Sequence, residues 1–439
     1  MNWKKTISRT ITYVFCGVAA VQIVLGAIWL CCQFPHLQNW QETYEYLDIS
    51  RTWVLDEYVG FLYPLLLKLC TGMEALLGVP FYMPVYVVQL LAAVFASYFF
   101  ARTVLKLQGG RAYLTAGYLV SFPMLLQFHL SVRPESLVVS GVLLLLGVFS
   151  NKQDRTLKQV VCGGLLTMAV IWLMPDGAVL CVAAWVWYFL GKIDRKWFLG
   201  LLAFVLALAV SLSVNAFTQT PGSRGRIQKT FWAAAFQRVV TEYFSKSYAM
   251  WDEEVRTTFT IEEAMEQAKR SDNMMYTVGP MLERDWGRER ANQLYRQMTM
   301  DCFRVRTKDV VYQIRDDLVD ALLMPFSTWW QDDGGRRSQT GWNYGRLLEN
   351  ARGVASVYFL FGRVSLLGVL ICGIVKKIFN RKNVRVFRMI IAPACIALVQ
   401  CFWEMLRTGN AVSYSKLSFV ILFWMVLGAA MSLGEKQEA

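Results

Sequence analysis

Glu42, Glu45 and Asp48 are spaced by three within the short stretch 33–57, which also holds Asp56 and Glu57. On a helix that spacing sets the three acids along one slowly drifting face. Crowded carboxylates repel each other, so they persist when solvated, when they meet cations, or when one must act as a base. The chemistry open to them is general-base catalysis, in which a carboxylate takes the proton of an attacking hydroxyl. Groups that could complete such a site recur along the chain: Arg133-Pro134-Glu135, Asp176 in Met174-Pro175-Asp176-Gly177, and Arg407, Tyr414 and Lys416. Each alone is more often a cap or a snorkelling side chain. Gathered at one membrane depth, they would line a polar cavity between helices.

The elements between these residues are apolar. Hydrophobic residues make up 55% of the chain and charged residues 18%, too little charge for a soluble domain of this length. The apolar mass falls in blocks near the length a helix needs to cross a bilayer, about 17–25 residues. They lie at 11–32, 82–101, 113–130, 135–149, 160–173, 179–190, 197–214, 354–374, 389–406 and 418–433. Lipid cannot satisfy bare backbone amides, and the alternation of a β-barrel is absent. The expected fold is therefore an all-α, polytopic membrane helix bundle of about ten transmembrane helices with a helical extracytoplasmic insertion. A further stretch, 58–79, is interrupted by Pro64, Lys68 and Glu74 and reads as a helix in the outer interface.

Basic residues set the orientation. Lys4, Lys5 and Arg9 precede the first span, which places the N-terminus in the cytoplasm. The loops then assigned inside carry Arg102, Lys106 and Arg111, then Lys152, Arg155 and Lys158, then Lys192, Arg195 and Lys196, and finally a cluster from Lys376 to Arg388. The C-terminus returns inside. The net charge of +13 thus reports topology, not nucleic-acid binding. Three segments follow: an N-terminal transmembrane bundle at 1–214, an extracytoplasmic helical domain at 215–352 and C-terminal transmembrane helices at 353–439.

Within the insertion, apolar stripes at helical spacing run through Ile227, Phe231, Ala235, Val239 and Tyr243, through Ala291, Leu294, Met298, Cys302 and Val305, and through Val311, Ile314, Leu318 and Leu322, the last ended by Pro325. Thr260-Ile261-Glu262-Glu263 has the form of a capping box. Trp329, Trp330 and Trp342 suggest an interfacial belt, and 331–339, with Gly334 and Gly335, a loop. Of ten cysteines only Cys302 lies in the insertion, and there are two histidines, so neither a disulfide framework nor a zinc spacing is present. A divalent cation remains open, with no ligand set to hold it. Trp29-Leu30-Cys31-Cys32 offers no cleavage motif, so the first span reads as a retained anchor. The absence of an Asn-X-Ser/Thr sequon fits a bacterial chain.

The run Glu42-Thr43-Tyr44-Glu45-Tyr46-Leu47-Asp48-Ile49-Ser50-Arg51, followed by Gly60-Phe61-Leu62-Tyr63-Pro64-Leu65-Leu66-Leu67-Lys68-Leu69, resembles the acidic first loop and following amphipathic segment of the GT-C superfamily of integral membrane glycosyltransferases. Arg133-Pro134-Glu135 is similar to the charged outer turn between that family's third and fourth spans. The resemblance covers the first 215 residues in layout and the last spans more loosely. It implies an inverting transfer from a polyprenyl-phosphate-linked sugar to an extracytoplasmic acceptor, with the lipid bilayer as a partner. It also implies a base soon after the first span, usually Asp in the family. Glu42 fits best by position, with Glu45 and Asp48 as rivals. Arg133, Glu135, Asp176, Arg407, Tyr414 and Lys416 would then line the substrate site. Two other classes stay open: a non-catalytic membrane scaffold of the same fold, and a transporter or flippase of lipid-linked sugars. The latter needs ionisable or helix-breaking residues at mid-membrane, whereas the spans read as largely clean.

Overall fold

Long apolar runs with few internal breaks form helices, because a helix satisfies its own backbone where water is absent. A computed structural model of the protein describes residues 3–33, 41–55, 59–150, 156–190, 193–218, 232, 235–236, 253–258, 262, 278–326, 345–379, 384–408 and 418–433. Among them the regular structure is helical and no strand occurs. The chain divides into two compact units, one of 1–220, 325–397 and 421–439, the other of 221–324 and 398–420.

The first unit contains α1 (Trp3–Gln33), α2 (Gln41–Thr52), α3 (Leu62–Leu77), α4 (Tyr82–Thr103), α5 (Gly110–Val120), α6 (Pro123–His129), α7 (Glu135–Val148), α8 (Leu157–Leu173), α9 (Gly177–Phe189) and α10 (Arg195–Thr218). Four stretches of the described chain are long and apolar enough to cross a membrane: Thr6–Cys31, Tyr82–Thr103, Arg195–Asn215 and Ser356–Ile378. Shorter apolar helices cover Glu135–Val148, Leu157–Leu173, Gly177–Phe189, Met389–Trp403 and Ser418–Leu433. Their outer faces are apolar too. Val24 and Ile28 of α1, Leu91 and Phe95 of α4 and Leu202 and Leu206 of α10 are all exposed. Continuous apolar surface of this kind suits lipid and not water. The architecture is that of an all-α membrane helix bundle.

Stretch 113–130 departs from the single helix expected of it. It breaks into α5 and α6, with Ser121 and Phe122 between them and Pro123 at the first position of α6. Proline there excludes helical backbone for the residue before it, and Phe122 is extended at φ −66° and ψ 132°. The break is braced by α1 and by the long helix α14 (Gly345–Phe379), which follows α11 (Glu253–Thr258), α12 (Val278–Trp286) and α13 (Arg288–Leu323) of the second unit in chain order. Tyr358 donates its hydroxyl to the Ser121 carbonyl, and a Cβ on Gly362 would lie 2.7 Å from Pro123. Gln22 of α1 donates to the Tyr118 carbonyl at 2.9 Å and accepts from Ser365 at 3.0 Å, so α1, α5 and α14 share one buried polar seam.

At the other end of α14, the buried Lys376 donates to the Ser432 carbonyl at 2.6 Å and to Thr12 Oγ1 at 3.3 Å. It thereby ties α14 and α1 to α16 (Ser418–Leu433), where the last helical carbonyls lack partners of their own. Arg363 also lies inside the apolar stretch Ser356–Ile378, so this span is less clean than its hydropathy suggested.

In the second unit α11 (Glu253–Thr258) and α12 (Val278–Trp286) precede α13 (Arg288–Leu323). Gly287 joins α12 to α13 at φ 75°, a left-handed turn that favours glycine. Ala291, Leu294, Met298 and Cys302 are buried, as their stripe predicts, while Val305 is exposed. The helix loses its regular backbone one residue later, at Arg306 (φ −124°, ψ 30°). Beyond it Val310 and Ala321 are buried, Ile314, Leu318 and Leu322 of the third stripe are half-buried, and Val311 is exposed. The helix ends in a 3₁₀ turn, Met324–Phe326, at Pro325. Part of α15 (Val384–Thr408) belongs here as well, with Gln400 accepting the Phe419 amide at 2.9 Å. Of the first stripe only Ala235 is described, and it is buried. The capping box apart from Glu262, the tryptophan belt and loop 331–339 lie outside the described residues.

Candidate functional site

The turn between α6 and α7 carries the charges. Pro134 takes the N-cap position of α7 and Glu135 its first turn, where the helix dipole favours an acid. The guanidinium of Arg133 grips that carboxylate with two bonds, Nη2 to Oε1 at 2.8 Å and Nε to Oε2 at 3.3 Å. Arg133 is 1% exposed and Glu135 7%. A buried, forked pair of this kind loses water from both ions, so its geometry must be good for it to persist.

Gln89 of α4 holds the same turn from behind. It is fully buried, and its amide nitrogen donates to the carbonyls of Ser131 at 2.8 Å and His129 at 3.0 Å. Its oxygen accepts the Tyr63 hydroxyl from α3 at 3.1 Å. The His129 carbonyl ends a short helix and has no intrahelical partner, while the Ser131 carbonyl just beyond it also accepts the Arg133 amide at 3.0 Å. The ring of Tyr63 meets Tyr46 of α2 edge-to-face at 5.3 Å between centroids. Burial, then the neighbouring Tyr46, Glu135 and Tyr86, push the Tyr63 phenol well above its ordinary range, with Arg133 opposing. It therefore remains a donor. Beside it, His129 Nδ1 lies 2.8 Å from Ser136 Oγ, both groups buried.

Two further features seat the acidic helix. Gly60, just before α3, runs so close to the end of α8 that a Cβ would collide with the Trp172 carbonyl. Trp53, just after α2, sits at φ 56°, unusual for a bulky residue, and Lys68 of α3 stands over its ring at 5.2 Å. On α2, Thr43, Leu47, Ile49 and Ser50 are buried, whereas Asp48 is exposed. Glu42 and Glu45 lie on the described backbone of α2, one turn and one residue before Tyr46, but their side chains fall outside the described residues. Asp176 is half-buried at the N-cap position of α9, in the turn after α8, and does not cap that helix with its side chain. Arg407 belongs to the end of α15 with its side chain outside the description, as are Tyr414 and Lys416 entirely.

The structure thus brings the helix of the three acids, through Tyr46 and Tyr63, to the turn of Arg133 and Glu135. Tyr63 and Gln89 escaped the sequence reading. An isolated glutamine inside an apolar helix was the available signal, since a buried amide needs partners. Among the described residues no group of three or more His, Cys, Asp or Glu side chains is placed to hold a metal ion. Compared with family models, characterised proteins and solved structures, the chain matches none.

Proposed function

We propose that the protein is a membrane glycosyltransferase of GT-C type, transferring a sugar from a polyprenyl-phosphate donor to an extracytoplasmic acceptor such as a cell-envelope glycan, lipid or protein. The supporting observation is the continuous packing from acid-bearing α2 through Tyr46, Tyr63 and Gln89 to the Arg133–Glu135 turn. In this reading about ten helices span a bacterial cell membrane, both termini are cytoplasmic and 215–352 lies outside.

One carboxylate of α2, with Glu42 first in rank, takes the proton of the acceptor hydroxyl as its oxygen attacks the anomeric carbon. The bond from that carbon to the donor's phosphate oxygen breaks, and the electron pair leaves with the lipid phosphate. The transition state is oxocarbenium-like and gains from nearby negative charge, while Arg133, Arg407 or Lys416 neutralises the leaving phosphate. The lipid tail stays in the bilayer, so the donor enters sideways, with α3 as one wall of the entrance. A divalent cation would assist the phosphate's departure, though no ligand set for one is defined.

A scaffold without catalysis is the second reading, favoured by the exposure of Asp48 and by the closed Arg133–Glu135 pair, in which the cation already has an anion. Reconstitution of the purified chain in lipid with polyprenyl-phosphate sugars separates the two. The enzyme releases polyprenyl phosphate in an acceptor-dependent way, and a scaffold leaves every donor intact. Reporter fusions at Ser223 and Asn383 test the topology, which requires opposite sides; the same side for both contradicts it.

A further inference from the structure

We infer that Tyr63 and Gln89 are positioning residues that couple α3, and through Tyr46 the acidic helix α2, to the turn bearing Arg133. This inference rests on the transferase reading only for its effect on turnover. The geometry is a buried relay through one side-chain amide. The Gln89 oxygen accepts the Tyr63 hydroxyl, and the two amide hydrogens of Gln89 are directed at the carbonyls of Ser131 at 2.8 Å and His129 at 3.0 Å, with that of Phe128 at 3.4 Å as a longer third contact. Losing the Tyr63 hydroxyl or the Gln89 amide leaves its partners unmatched in a buried place, where water does not replace them. Arg133 follows directly, since its own amide donates to the Ser131 carbonyl at 3.0 Å, the same carbonyl that Gln89 holds. Tyr63 and Gln89 touch no reacting group in this arrangement. They fix where the acids of α2 stand relative to the cation.

Tyr63→Phe is the cleanest probe, because it removes the hydroxyl and keeps the ring that meets Tyr46. Tyr118→Phe is the matched control: that phenol is also fully buried, but its hydroxyl has no hydrogen-bond partner among the described residues. In the full chain, Tyr63→Phe should speed hydrogen exchange of the backbone at 128–136 by about three- to tenfold, and Tyr118→Phe should not. Gln89→Leu should act on the same segment more strongly. The double variant should add little to Gln89→Leu alone, since both break one path. Turnover should follow for Tyr63→Phe, with kcat lowered by roughly tenfold and the donor KM within about twofold, as expected for loss of alignment and not of binding. Unchanged exchange at 128–136, or an equal change in Tyr118→Phe, overturns the inference. So does altered exchange with unaltered kcat in an active enzyme. If the wild-type chain transfers no sugar, the exchange result still decides the coupling, and only the transferase reading falls.

Discussion

Helices α13 and α14 are nearly equal in length, 36 and 35 residues, and both expose apolar side chains, yet they treat their polar groups differently. α13 buries Leu294, Met298 and Cys302 and shows Arg304, Arg315 and Asp316 to its surroundings. α14 shows Val357, Leu360, Val364 and Leu367 and buries Ser365 and Lys376. The lesson is one of solvent. At a solvated surface charges are free to pair loosely. In lipid the apolar side costs nothing to show, and each polar group must find a partner within the protein.

The largest expected effect comes from breaking a buried pair and comparing it with an exposed one. Arg133→Met strips the partner from Glu135 and should cost about 3–5 kcal/mol of stability. Arg315→Met, which parts an exposed pair with Asp316, should leave the melting temperature where it was. Equal losses in thermal denaturation would erase the distinction between the units.

A matched pair of valines comes next. Val364 of α14 and Val305 of α13 are 60% and 58% exposed, so area alone cannot separate them. Val364→Asp places a charge against lipid and should disfavour insertion by about 2.5–3.5 kcal/mol. Val305→Asp lies in the unit proposed to stand outside the membrane and should stay within about 0.5 kcal/mol of wild type. Membrane-integrated yield and thermal stability read both. The glycines give the third comparison. Gly60→Ala drives a methyl into the Trp172 carbonyl and should cost up to about 3 kcal/mol. Gly287→Ala meets open space but keeps a left-handed backbone, a cost of about 1–2 kcal/mol.

Much of the fold was legible because hydropathy and period are local. The apolar cores of α1, α4, α10 and α14, the helical character of the second unit and the stripe from Ala291 to Cys302 all follow from neighbours within a few turns. What could not be read depends on geometry at single residues or on distant partners. Ser121-Phe122-Pro123 lies inside an unbroken apolar run, so composition hid the break. Arg306 is an ordinary residue, so nothing in the sequence marked its non-helical backbone, and just beyond it Val310 is buried where Val311 was expected to be. The charged turn was visible as Arg133-Pro134-Glu135, but its pairing was not, because the same residues could equally have faced a substrate. Gln89 finds its carbonyls some forty residues away, a relation that no pattern along the chain encodes.

The central claim is that one acid of α2 works on an acceptor hydroxyl. Glu42→Gln, Glu45→Gln and Asp48→Asn, each in the full chain reconstituted with a polyprenyl-phosphate sugar and its acceptor, test it most directly. One of the three should lower kcat by roughly two to four orders of magnitude, with the melting temperature unchanged. Full turnover in all three variants, from a wild-type protein that does transfer sugar, would contradict the account.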